Sequence, residues 1–118
     1  MSRLVSGIGG VFFRASDPDK LTKWYQKHFG IRPANEAEPW TQEAGYTVFA
    51  PFKKSTTYFG RDEQQFMINF RVTDLDKLLE QLKADGVRID EQRAEESYGK
   101  FAWVYDPEDN KIELWQPV

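Results

Sequence analysis

At 118 residues the chain is the usual size of one domain. Its 40% hydrophobic and 30% charged residues are those of a folded globular protein, and 16 basic against 19 acidic side chains leave a net charge of -3, which excludes the basic footprint of a nucleic-acid binder. The absence of cysteine excludes disulfides, thiolate nucleophiles, iron–sulfur clusters and Cys-type zinc sites and fits a cytoplasmic location; the Met1-Ser2-Arg3-Leu4 start has no leader-like apolar core, and no apolar run reaches the ~20 residues of a membrane span.

In chain order, Val11, Phe13 and Ala15 alternate with Gly10, Phe12 and Arg14, which predicts a strand. Asp17 caps a helix with Pro18 at its first position; Leu21, Trp24, Tyr25 and Phe29 share one face, and Gly30 ends it. Tyr46 to Phe52 is a clear strand, Trp40 to Gln42 a weaker one, and the mixed polar stretch 53–65 is a connection. Ile68, Phe70 and Val72 then alternate with Met67, Asn69 and Arg71 in a further strand. A second helix, capped by Thr73 or Asp74, gathers Leu75, Leu78, Leu79 and Leu82 on one face and stops at Gly86. Phe101–Tyr105 and Lys111–Gln116 are strands around the turn-rich Asp106-Pro107-Glu108-Asp109-Asn110.

The first strand and helix start repeat. Phe13 to Leu21 matches Phe70 to Leu78 at six of nine positions, with Ala/Val and Ser/Thr close substitutions. Two copies make a duplicated module rather than a solenoid. The expectation is α+β: two βαβββ modules, about 7–52 and 66–117, forming one cupped, largely antiparallel sheet with helices on its outer face, within a single domain spanning 1–118. The apolar strand faces take the helices, so Gly10, Phe12, Arg14, Met67, Asn69 and Arg71 line the cleft between the modules. Nine Phe, five Tyr and four Trp exceed what a small core needs and predict an aromatic-walled pocket.

The duplicated Asp-Pro/Leu-Asp-Lys-Leu helix starts, the Trp24-Tyr25 to Phe29-Gly30 helix end and the Asp106-to-Trp115 segment resemble the vicinal oxygen chelate superfamily, which contains glyoxalases, extradiol dioxygenases and bleomycin-resistance proteins. In metal-dependent members the ligands come from the first and last strands of each module. Carried onto this chain, the resemblance places those positions at Gly10, Met67, Phe49 or Ala50, and Glu113; only Glu113 matches, so no metal and no other cofactor is expected. Glu113 is either a catalytic or ligand-binding carboxylate or a strand carboxylate paired with a neighbouring cation. Arg14 and Arg71, equivalent in the two copies, either hold an anionic ligand or pair locally. Phe12, Phe49, Met67, Asn69, Trp103 and Trp115 complete the expected ligand contacts. His28, the sole histidine, sits at a helix end, where a cation suits the dipole. The function expected is metal-free binding of a small organic ligand, without nucleic-acid or membrane partners. The alternatives are a lyase or dioxygenase with an atypical divalent metal, or acid–base chemistry by Glu113. A homodimer is expected because a cupped sheet leaves open edges.

Overall fold

The computed structural model describes residues 4–34 and 38–118, so the Met1–Arg3 start lies outside the described residues. Its elements run α1 (Pro18–Phe29), β1 (Ile68–Arg71), α2 (Leu75–Ala84), β2 (Arg88–Glu96), β3 (Gly99–Tyr105) and β4 (Lys111–Pro117). The class is α+β, as expected. Among the described residues, no helix is long and apolar enough to cross a membrane.

The second half forms the strand–helix–three-strand unit that the repeat predicts. Its sheet has the order β1-β4-β3-β2, with β1 parallel to β4 and the other two pairings antiparallel. A parallel β1–β4 pair needs a crossover, and α2 belongs to it, lying over one face of the sheet. Asp74 rather than Thr73 caps α2, its carboxylate accepting from the Lys77 amide at 3.1 Å, and Gly86 takes a left-handed φ of 76° just past the helix. Leu75, Leu82, Val104, Ile112 and Leu114 are fully buried between helices and sheet.

In the first half, α1 forms as predicted, capped by Asp17 and closed by Gly30 at a φ of 67°. Leu21 and Tyr25 are buried, and Trp24 and Phe29 pack against the same core as α2. The alternating segments around Val11–Ala15 and Tyr46–Phe52 belong to no ladder among the described residues. Ala15 still packs against the core, and Phe13, 38% exposed, meets Tyr25 and Phe66 edge-on, whereas Phe12, Tyr46 and Phe49 are almost wholly exposed.

Two carboxylates of the 106–110 turn tie α1 to the second half. Buried Asp106 accepts from the Tyr25 hydroxyl at 2.7 Å, and also from the Asn110 side-chain amide and the Glu108 and Asn110 backbone amides. Glu108 accepts from the Ser16 and Asp17 amides at 2.7 and 3.0 Å, leading the chain into α1. These backbone bonds hold the Glu108 carboxyl below its ordinary range.

His28 serves this helix pair. Its ring leans on Trp24, and Nδ1 lies 3.7 Å from an Asp85 carboxylate oxygen at the end of α2. Burial, aided by the Lys27 charge and opposed by Asp85, holds the imidazole below its ordinary 6.5. The unfolded chain therefore takes up the proton first on acidification. Stability should decline as pH falls below about 6.5. Thermal melts between pH 8 and 5 should show this decline, and His28→Gln should flatten it; Glu108 acts only in a separate window, below its ordinary 4.5.

Candidate functional site

Register assembles the site. Asn69 of β1 pairs with Glu113 of β4, and Glu113 pairs with Trp103 of β3, so the three stand in one row across the sheet. Ile112 and Leu114 on either side of Glu113, and Ala102 and Val104 on either side of Trp103, point into the helix-side core. Period-two alternation therefore turns the Asn69–Glu113–Trp103 row to the opposite face. The next row on that face is Arg71, Trp115 and Phe101.

Glu113 is buried, with both carboxylate oxygens engaged. Oε1 accepts from the Trp103 indole N–H at 3.1 Å and from the Tyr58 hydroxyl; Oε2 accepts from the Asn69 side-chain amide at 2.6 Å. Burial, together with its bond to Glu113 and the charge there, pushes the Tyr58 phenol well above its ordinary range. The Tyr58 ring stacks on Phe52 at 5.6 Å and 3° and meets Trp103 edge-on at 6.2 Å. The Lys111 ammonium lies 5.1 Å from the Tyr58 ring centre and donates to the Tyr58 carbonyl at 2.9 Å. The result is one carboxylate acceptor set among aromatic rings with a cation beside them.

Of the residues expected at the cleft, Asn69, Trp103 and Glu113 are brought together. Arg71 and Trp115 share their face but have other partners. The Arg71 guanidinium donates to the Tyr46 and Glu43 carbonyls at 2.9 and 2.7 Å, and a Cβ at Gly45 would run into it. The Trp115 indole donates to the Tyr98 carbonyl at 3.0 Å and stacks on Phe101. Met67 is half-buried immediately before β1. Phe12 and Arg14 line a different groove of about 650 Å³, shared with Arg61, Phe66 and Ile68, whose walls do not include Glu113. Phe49 is 84% exposed. Sequence reasoning reached Tyr58 only through the general surplus of aromatic residues and gave Phe52 and Lys111 no part in the site.

The family model for the Glyoxalase/Bleomycin resistance protein/Dioxygenase superfamily matches residues 7–114. The chain belongs to this superfamily. No curated protein sequence matches it. Its fold is shared with TnmS3, an antibiotic binding protein from Streptomyces sp. CB03234, at 20% identity and a TM-score of 0.70, covering 99% of this chain and 100% of that one. It is also similar to a superfamily member from Sphaerobacter thermophilus DSM 20745 (17% identity, TM-score 0.65, covering 97% and 99% of the two chains). The fosfomycin resistance protein FosX from Mesorhizobium loti is a third (15% identity, TM-score 0.61, covering 98% and 95%).

Membership raises the question of the divalent metal that many superfamily members carry, and the donor set here does not fit one. Among the described residues, no group of three or more His, Cys, Asp or Glu converges. Gly10 and either Phe49 or Ala50 offer no side-chain donor, Met67 offers a thioether, and the remaining position, Glu113, already accepts three hydrogen bonds.

Proposed function

We propose that this chain binds a small organic molecule on the Glu113 face of its sheet, without a resident metal. The observation that carries this reading is the row Asn69–Glu113–Trp103, a buried carboxylate fixed by neutral donors and walled by rings. Such a group offers a charge-assisted hydrogen bond to a ligand N–H or O–H, while the rings supply apolar contact area. Three donors hold Glu113 as an acceptor, which favours binding over proton transfer or metal ligation. The antibiotic-binding and antibiotic-resistance proteins of the same fold support the same class of function. Elemental analysis of purified protein should find well under one equivalent of zinc, nickel, manganese or iron per chain; a stoichiometric metal would overturn the metal-free reading.

The binding form is a C2 homodimer on this account. The chain exposes 9620 Å², whereas a monomer of its mass exposes about 6,600 Å². The difference, about 3,000 Å², well exceeds the roughly 800 Å² that one partner contributes to a standard interface. Phe12 (93% exposed), Tyr46 (88%) and Phe49 (84%) lie in the two strand-patterned segments that have no ladder among the described residues. A second copy would supply both the ladder and the cover for these rings. Light scattering should give about twice the chain mass of 13.8 kDa. A concentration-independent mass near 13.8 kDa would contradict the dimer.

A further inference from the structure

Tyr58 differs from the other two partners of Glu113. Asn69 and Trp103 are fixed by the sheet, but Tyr58 sits in the 53–65 connection, outside any helix or strand. The described hydrogen bonds that shape its surroundings are local: Thr56 amide to Lys53 carbonyl at 2.9 Å, Gly60 amide to Thr57 carbonyl at 3.3 Å, and Tyr58 amide to Thr56 Oγ1 at 3.2 Å. They would travel with the turn if it moved. Among the described residues, what binds the turn to the sheet is the Tyr58 hydroxyl on Glu113, the flexible Lys111 ammonium on the Tyr58 carbonyl, and the Tyr58 ring itself against Trp103. Gly60, at a φ of 88°, then separates the turn from Arg61 and Gln64, which are anchored on the 108–111 backbone.

The chain thus presents a phenol to its own candidate site. The ring is sandwiched by chemistry suited to a planar aromatic, parallel to Phe52 on one side and edge-on to Trp103, and its hydroxyl donates to the buried Glu113 carboxylate. We propose that Tyr58 is an internal stand-in for the ligand: a planar aromatic molecule bearing a phenolic hydroxyl takes the place of the Tyr58 ring and donates to Glu113, while the 53–60 turn moves outward. This rests on the binding reading given above and narrows it to a ligand class. Asn69 and Trp103 keep Glu113 oriented when Tyr58 leaves, so the site is complete without it. In the unliganded chain Tyr58 supplies the donor that a buried carboxylate needs and shields it from water.

The test uses p-cresol, the side chain of tyrosine as a free molecule, and the whole 118-residue chain. In Tyr58→Ala, p-cresol should bind saturably, quench Trp103 fluorescence and shift the Asn69 side-chain amide resonances. It should bind at least about tenfold more tightly than toluene, which lacks the donor. The wild-type protein, with its own phenol in place, should bind p-cresol at least about tenfold more weakly than the variant does. Should Tyr58→Ala fail to fold, p-cresol should restore folding where toluene does not. Equal responses of wild type and variant, no preference over toluene, or an unfolded variant that p-cresol leaves unfolded would overturn the proposal. The broader binding reading fails separately: it falls only if aromatic probes also leave the Trp103 and Asn69 resonances of the wild-type protein unmoved.

Discussion

Asp106→Ala should lower the stability of the fold by about 3 kcal/mol or more, because four donors lose a buried acceptor at once, each costing about 1–3 kcal/mol if left unpaired and uncompensated by water. The Tyr25 hydroxyl, the Asn110 side chain and the Glu108 and Asn110 amides all converge on this one carboxylate. Three of these bonds lie within the turn before β4, and one ties α1 to it, so the damage spans both halves of the chain. Tyr25→Phe removes a single bond and should cost less, about 1–2 kcal/mol. Added to Asp106→Ala it should cost little more, since the two substitutions share an interaction. Urea denaturation of the four proteins checks this; full additivity, or a loss under 1 kcal/mol for Asp106→Ala, would mean that the turn does not carry α1.

The second large effect is at Glu113, where two substitutions separate structure from binding. Glu113→Ala strands the Tyr58, Trp103 and Asn69 donors together and should destabilise the fold by about 2–4 kcal/mol. Glu113→Gln need not. Its amide oxygen can accept from Tyr58 and Trp103, and its NH₂ can face an Asn69 amide turned so that Oδ1 accepts. The fold is kept while the negative charge is lost. A ligand that donates to the carboxylate should then bind about 10- to 100-fold more weakly, the difference between a charge-assisted and a neutral hydrogen bond. Calorimetric titration beside thermal melts measures both effects, and unchanged affinity in Glu113→Gln would remove the carboxylate from the site.

Much of this was legible in the sequence because local signals and tertiary packing agree. The Asp17-Pro18 and Asp74 caps, the Gly30 and Gly86 stops and the apolar faces of both helices are short-range features, and they appear where the repeat puts them. Strand β2 was not named from the sequence for a physical reason. It is an edge strand, Arg-Ile-Asp-Glu-Gln-Arg-Ala-Glu-Glu, with a bulge between Ile89 and Arg93 and charges that deter edge-to-edge pairing, so it lacks clean alternation. Within the site, Asn69, Trp103 and Glu113 follow from period-two alternation along well-formed strands. The part of Tyr58 could not be read that way. Its contact with Glu113 bridges 55 residues from a segment without periodicity, and only its aromatic character hinted at the pocket. Phe12 and Phe49 alternate like strand residues, yet among the described residues no strand pairs with their segments, so pattern alone placed them on a cleft wall.

On the proposed function, the Glu113 face is where this protein holds its ligand. Two-dimensional NMR of the labelled protein, titrated with planar aromatic amines and phenols, tests it most directly, because the Trp103 indole N–H and the Asn69 side-chain amide both report on that carboxylate. Both signals should shift saturably in the wild-type protein, and the shifts should be lost in Glu113→Gln. Shifts confined to the groove of Phe12, Arg14 and Phe66, or no saturable shift with any of these compounds, would contradict it.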